Sequence, residues 1–150
     1  MKKILFYFCA LMLFTTLFTS CRYEEGPYIS FLSPETRLVG YWEVGKVLLN
    51  GEEYTATSDL AHQKGSYYSF YIERMLEVEA IKDNYLQKSV TGAWDFQNHE
   101  KEIYMMFTIQ NKKYSYTARI KRLTKYDLEY EYTDENGDVW RMIMNNRSVY

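Results

Sequence analysis

The sequence is poor in cysteine, proline, glycine and histidine: its 150 residues include two cysteines, two prolines, seven glycines and two histidines. Both cysteines, Cys9 and Cys21, fall at the N-terminal end, so nothing beyond them offers thiolate ligands for zinc. His62 and His99 stand far apart in loop-like stretches, and two exposed loop histidines imply ordinary surface and no metal site. No G-x-S-x-G elbow marks a nucleophile and no glycine-rich loop could cradle a phosphate. No residue set calls for a cofactor, and no enzyme is expected. Charge is balanced at 18 basic against 20 acidic residues. That balance argues against nucleic acid, which needs a basic surface. After residue 18 no apolar run approaches the roughly 20 residues that a membrane-spanning helix requires.

What is present begins with Lys2 and Lys3, then the apolar run ILFYFCALMLFTTLF from residue 4 to residue 18, then Thr19 and Ser20. Charge, short apolar core and small-residue exit together read as a secretory signal peptide over residues 1–20. The junction Phe18-Thr19-Ser20-Cys21 resembles the lipobox of bacterial lipoproteins. The resemblance implies that Cys21 is the lipid-attachment residue, and that the chain reaches a membrane through its acyl chains. Each buried CH₂ adds about 0.8 kcal/mol of membrane affinity, so two or three chains hold what one would not. Cys9 leaves with the signal segment, and Cys21 keeps no partner for a bridge. With Lys2 and Lys3 gone, 16 basic residues remain against 20 acidic, a net charge of −4. Residues 21–36 carry Gly26, Pro27 and Pro34 without a periodic pattern and are expected to form a flexible tether reaching on the order of 20 Å. Residues 37–150 are long enough for one domain with its own core. The expected location is the cell envelope, lipid-anchored in the outer membrane.

From residue 37 onward the chain alternates apolar and polar residues and is rich in tyrosine, with turn residues at short intervals, which is the pattern of half-buried strands. Turns and alternation check each other, because a one-residue slip moves a strand's apolar set to the other face. A three-residue loop at 124–126 sets Ile120 opposite Tyr130, Ala118 opposite Tyr132, Arg119 opposite Glu131 and Lys121 opposite Glu129. A three-residue loop at 135–137, with Gly137 in the left-handed position, sets Tyr132 opposite Trp140, Tyr130 opposite Met142 and Leu128 opposite Met144. Further back, a two-residue loop at 111–112 sets Ile109 against Tyr114, Phe107 against Tyr116 and Ile103 against Ile120. A four-residue loop at 98–101 sets Phe96 against Ile103 and Trp94 against Met105. A three-residue loop at 82–84 sets Phe70 against Phe96, Ile72 against Trp94 and Gly92 against Arg74. Residues 74–82 also suit a helix, but Ile72, Leu76 and Val78 keep a period of two. Earlier strands are expected over 37–49 and 54–58, with 59–65 as a loop or one helical turn. Eight antiparallel strands in a meander dispose of their edges by closing, first strand against last. The expected fold is all-β: an eight-stranded antiparallel up-and-down meander barrel.

Gly40-Tyr41-Trp42 at the start of the first long strand resembles the G-x-W signature of lipocalins. Together with the meander, "NGEEYT", "TGAWDF" and "LTKYDLEYEY", it is similar to the lipocalin-like domain of small bacterial lipoproteins. The resemblance implies that Trp42 packs inside one end of the barrel, with Arg141 or Arg147 as the arginine that lies across that tryptophan in animal lipocalins. The candidate ligand-binding residues are the inward-facing aromatics Trp42, Phe70, Trp94, Phe107, Tyr116, Tyr130 and Trp140. An eight-stranded barrel either fills with its own side chains or holds one small ligand. Two functions stay open: a binder of a small apolar or amphipathic molecule, or a filled barrel whose outward Tyr67, Tyr71, Tyr104 and Met106 dock a protein partner in an envelope complex.

Overall fold

The computed structural model describes residues 23–26, 30–56, 58–82 and 85–148. Its strands are β1 (Gly40–Leu49), β2 (Glu52–Glu53), β3 (Tyr67–Phe70), β4 (Met75–Lys82), β5 (Tyr85–Gln97), β6 (Glu102–Ile109), β7 (Lys112–Leu123), β8 (Asp127–Thr133) and β9 (Val139–Asn146). A short helix, α1 (Pro34–Leu38), precedes them, and a single 3-10 turn (Leu60–His62) lies between β2 and β3. The sheet runs β1-β3-β4-β5-β6-β7-β8-β9, all antiparallel, and β9 returns to pair with β1 from Trp42–Asn146 to Leu49–Trp140. Eight strands therefore close into an up-and-down barrel, with β2 a two-residue appendage on the end of β1.

Two hairpins have the expected registers and a third has them in part, the β7–β8 ladder starting at Arg119–Glu131 and leaving Ala118 and Tyr132 unpaired across it. Tyr132 faces Trp140 and Tyr130 faces Met142 across the turn at Gly137, whose φ is +86°. Trp94 faces Met105 and Phe96 faces Ile103. Ile120 faces Tyr130 and Arg119 faces Glu131, but a bulge then intervenes, so that Arg122 and not Lys121 stands opposite Glu129. The bulge frees Lys121 to reach Glu24.

The β6–β7 hairpin turns one residue earlier than expected. Gln110 and Asn111 both take positive φ, at 51° and 64°, the geometry of a two-residue turn that matches strand twist. Phe107 therefore faces Tyr114, Met105 faces Tyr116 and Ile103 faces Ala118. The slip is by two residues in register, so every side chain keeps its face.

The largest departure is at residues 67–82, expected as one strand. The chain reverses after Phe70, closed by Tyr71 N–H to Met75 O and Arg74 N–H to Tyr71 O, with Arg74 at φ 64°. Phe70 faces Leu76 and Gly40, not Phe96, and Gly92 faces Leu76, not Arg74. Ile72, expected inside, is exposed at the tip. Conversely, the described residues of 54–58 supply no barrel strand, so the total of eight stands with one member exchanged.

Successive reversals place 71–74, 98–101, 124–126 and the start of β1 at one end of the barrel, and the turns near 50, 110 and 135, the end of β4 and the start of β5 at the other. The first end is closed. Ser33 caps α1, Trp42 Nε1–H donates to Leu38 O (2.8 Å), and the buried Arg37 guanidinium donates to Leu123 O (2.7 Å), fastening the helix across the opening. Parts of the stretch expected to be a flexible tether also lie on this end. Tyr23 is 3% exposed and donates its hydroxyl to Glu100 O, while Glu25 N–H donates to Lys121 O. Cys21 lies outside the described residues.

Candidate functional site

The seven inward aromatics divide by height. Trp42, Phe70 and Trp94 belong to the closed end, Tyr130 to the middle, and Phe107, Tyr116 and Trp140 to the other half. Trp42, Phe70, Trp94 and Tyr130 expose 0–1% of their surface, as do Tyr68, Leu76, Met105 and Met142 around them. Side chains without accessible area adjoin no water-sized space, so the barrel is filled at this level by its own packing. Arg74 lies across Trp94, 4.4 Å from its ring centre. Arg141 bridges Glu25 and Glu129, and Arg147 pairs with Glu43.

At the open end the 3-10 turn lies across the barrel. Asp59 is its N-cap, accepting from Ala61 N–H, and Leu60, Ala61 and His62 are all buried. Tyr68 donates its hydroxyl to Ala61 O (2.6 Å), tying the turn to β3. His62, expected on the surface, is 3% exposed. Its Nδ1 lies 2.8 Å from Asp59 Oδ2 and its Nε2 lies 2.6 Å from the Tyr132 hydroxyl. An ionised carboxylate can only accept, so Nδ1 carries the proton, and in the neutral ring Nε2 accepts from Tyr132. Asp59 also accepts from the Tyr114 hydroxyl (2.8 Å) and lies 3.7 Å from Lys112 Nζ.

The titration behaviour follows from this wiring. Burial pushes the Asp59 carboxyl up, but the hydrogen bonds from His62 and the Tyr114 hydroxyl and the charge of Lys112 together outweigh it and hold the group well below the ordinary carboxylate range. Burial pushes the Tyr132 and Tyr114 hydroxyls far up, so both remain donors. A carboxyl depressed on folding contributes stability that is whole above its unfolded value, about 3.9, and is lost as pH falls below that toward the folded value. Asp59→Asn is therefore expected to cost about 1.5 to 3 kcal/mol at neutral pH, the range for hydrogen bonds to a charged group. The variant should also lose part of the wild-type decline in stability below about pH 4. Urea unfolding followed at several pH values checks both.

Beside this latch the barrel wall opens. The β7–β8 ladder begins only at Arg119–Glu131, so residues 112–118 of β7 diverge from the β8–β9 turn. The gap is a cleft of about 600 Å³ bounded by His62, Tyr114, Tyr116, Tyr132, Trp140 and Lys112. Its floor is aromatic. Tyr116 stacks on Tyr132 with centroids 3.8 Å apart, and His62 stacks on Trp140 at 4.0 Å. Lys113, Asp134 and Glu135 stand at the rim.

Of the aromatics singled out from the sequence, Tyr116 and Trp140 line this cleft, and Phe107 supports it by stacking on Tyr114 at 5.0 Å. His62, Tyr114 and Tyr132 complete it, with Asp59 behind them bonded to His62 and Tyr114, and none of the four was among those aromatics. One signal was available: Asp59-Leu60-Ala61-His62 offers a helix-capping aspartate followed by two apolar residues, which marks a turn with a buried face. Of the outward residues proposed for partner docking, Tyr67 is stacked on Tyr41 at 4.5 Å and Tyr104 shares a hydrogen bond with Ser115. Among the described residues no group of three or more His, Cys, Asp or Glu side chains could hold a metal ion.

No family model and no curated protein matches the chain. Among solved structures, insecticyanin from the tobacco hornworm Manduca sexta, a lipocalin, is similar with a TM-score of 0.52 and 9% identity, over 75% of this chain and 63% of that one. The chain thus spans less than two thirds of that protein's length, and at such identity the likeness concerns the fold alone. A meander of eight strands closed β1 to β9, following the backbone course of insecticyanin, makes this a lipocalin-like barrel.

Proposed function

We propose that this protein is a lipid-anchored lipoprotein of the bacterial cell envelope that binds a small amphipathic molecule in the cleft at the open end of its barrel, without a catalytic step. The observation that carries the reading is the cleft itself: a concave site of ligand size whose floor is two stacked ring pairs and whose rim is charged. Such a floor suits a flat apolar body lying against Trp140 and Tyr116, with a polar group directed to Lys112, Lys113 or the rim carboxylates. Packing below Tyr130 leaves no space for a deeper ligand. The Asp59–His62–Tyr132 chain has the order of a proton relay. Both imidazole nitrogens are already engaged, and the Tyr132 hydroxyl is buried with its pKa driven upward, so it serves as a latch for the 3-10 turn and not as a nucleophile.

The binding reading is tested with 1-anilinonaphthalene-8-sulfonate, which combines flat rings with one charge. Saturable binding near one equivalent is expected, with Trp140 fluorescence quenched on filling. Trp140→Phe should remove that quench, while Trp42 and Trp94, packed at the far end, should continue to emit unchanged. Probe that does not saturate, or that quenches all three tryptophans alike, would rule out a site at the mouth. The anchor reading is tested separately: Cys21→Ala should move the protein from the membrane to the soluble fraction with its circular dichroism intact.

A further inference from the structure

We infer that the closed end of the barrel is a second membrane contact, seated on the bilayer surface so that the ligand cleft faces the aqueous side. The inference rests on the reading of Cys21 as the acylated residue. Tyr23 is fixed at the closed end by its hydroxyl bond to Glu100 O (2.9 Å) and by the Arg37 guanidinium 5.4 Å from its ring centre. The stretch that follows is also fastened: Glu24 pairs with Arg119 and Lys121, and Glu25 with Arg141 at 2.5 Å. Only Arg22 lies between Tyr23 and Cys21, a step of at most about 7 Å. An acyl chain on Cys21 therefore brings the closed end against the headgroups instead of suspending the barrel on a long leash.

The surface at that end has the matching chemistry. Phe31 is 101% exposed, Ile72 63% and Tyr126 60%, with Leu32 beside Phe31 also exposed. These residues come from three separate segments: the approach to α1, the β3–β4 turn and the β7–β8 turn. Each turn brings an apolar side chain to the same end, where it is solvated at a cost that the headgroup–acyl boundary would relieve. Lys125 holds its ammonium 5.8 Å from the Tyr126 ring centre, a pairing in which the aromatic body can enter the interface while the charge stays at the phosphate level. At the open end the corresponding exposed apolar residues, Tyr85 and Leu86, belong to a single hairpin, remote from Tyr23.

The test uses the full chain, matured in cells and reconstituted into vesicles of phosphatidylethanolamine and phosphatidylglycerol. Phe31→Cys, Ile72→Cys, Tyr126→Cys and, as the opposite-end reference, Leu86→Cys are each labelled with an environment-sensitive fluorophore; all four sites are exposed enough to carry it without repacking. Labels at 31, 72 and 126 should shift to the blue and be quenched by nitroxide-bearing acyl chains, while the label at 86 stays aqueous. Aqueous emission from the first three, or immersion of the label at 86, would overturn the inference. Intact mass of the same protein reads acylation at Cys21 independently. An unacylated chain would end the anchor reading, while the labels would still decide whether the closed end meets lipid.

Discussion

Gly92→Ala is expected to destabilise the barrel by about 3 kcal/mol, at the upper end of the cost of overpacking, and to lower the unfolding midpoint by about 10 °C. Gly92 lies in β5 opposite Leu76, one residue before the strand takes up its ladder with β6 at Ala93–Met106. A Cβ there would sit 2.2 Å from Met106 O and 2.7 Å from Phe107 Cβ. Neither neighbour is the free end of a flexible side chain, so relief requires β5 and β6 to part. Out of a total stability on the order of 5 to 15 kcal/mol, that is a large share. Gly51→Ala is the comparison. Gly51 has φ +88° and nothing within 4 Å of a built Cβ, so only the cost of left-handed backbone applies, about 1 kcal/mol. Chemical denaturation of the two variants separates close approach from backbone conformation. Equal losses would show that the strands at Gly92 yield.

The same substitution should be felt at the cleft. Phe107 stacks on Tyr114, and Tyr114 donates to Asp59, so a displacement of β6 at Phe107 is passed toward the latch that holds the 3-10 turn. A mouth opened in this way should bind the sulfonate probe more weakly even at temperatures where Gly92→Ala remains folded.

What was legible in the sequence was parity. Side chains alternate strictly, so Trp94, Phe107, Tyr130 and Met142 could be assigned to one face before any turn was placed correctly, and an error of one residue in a turn left that face unchanged. The β8–β9 register could be read fully because Gly137 fixes the turn type. The turn at 71–74 could not. Tyr71, Ile72, Glu73 and Arg74 include none of the usual turn residues, and Arg74 takes φ 64° because the closing barrel requires a reversal there. His62 was missed for a related reason. Burial of a loop residue depends on what the loop crosses, and only the closed barrel puts Trp140, Tyr132 and Asp59 around that ring. The pinning of Tyr23 to Glu100, 77 residues away, has no local signature at all.

The second large effect is expected at Trp42. Trp42→Ala should cost about 3 to 5 kcal/mol, as for other fully buried aromatic truncations, since the indole has no exposed surface. Trp42→Phe separates the two things the residue does. It keeps most of the apolar volume but leaves Leu38 O without the indole N–H that now reaches it at 2.8 Å, a loss of about 1 to 3 kcal/mol if that carbonyl stays dry. The distinguishing measurement is amide exchange at Val39, whose N–H closes α1 on Glu35 O. Exchange there should quicken in Trp42→Phe by more than the global stability loss explains, because the helix is released while the barrel persists. Exchange that follows global unfolding alone would mean that α1 is held by Arg37 and Leu123 and not by the tryptophan. Probe binding at the opposite end should be unchanged in Trp42→Phe, since the filled layer around Tyr130 stands between the closed end and the cleft.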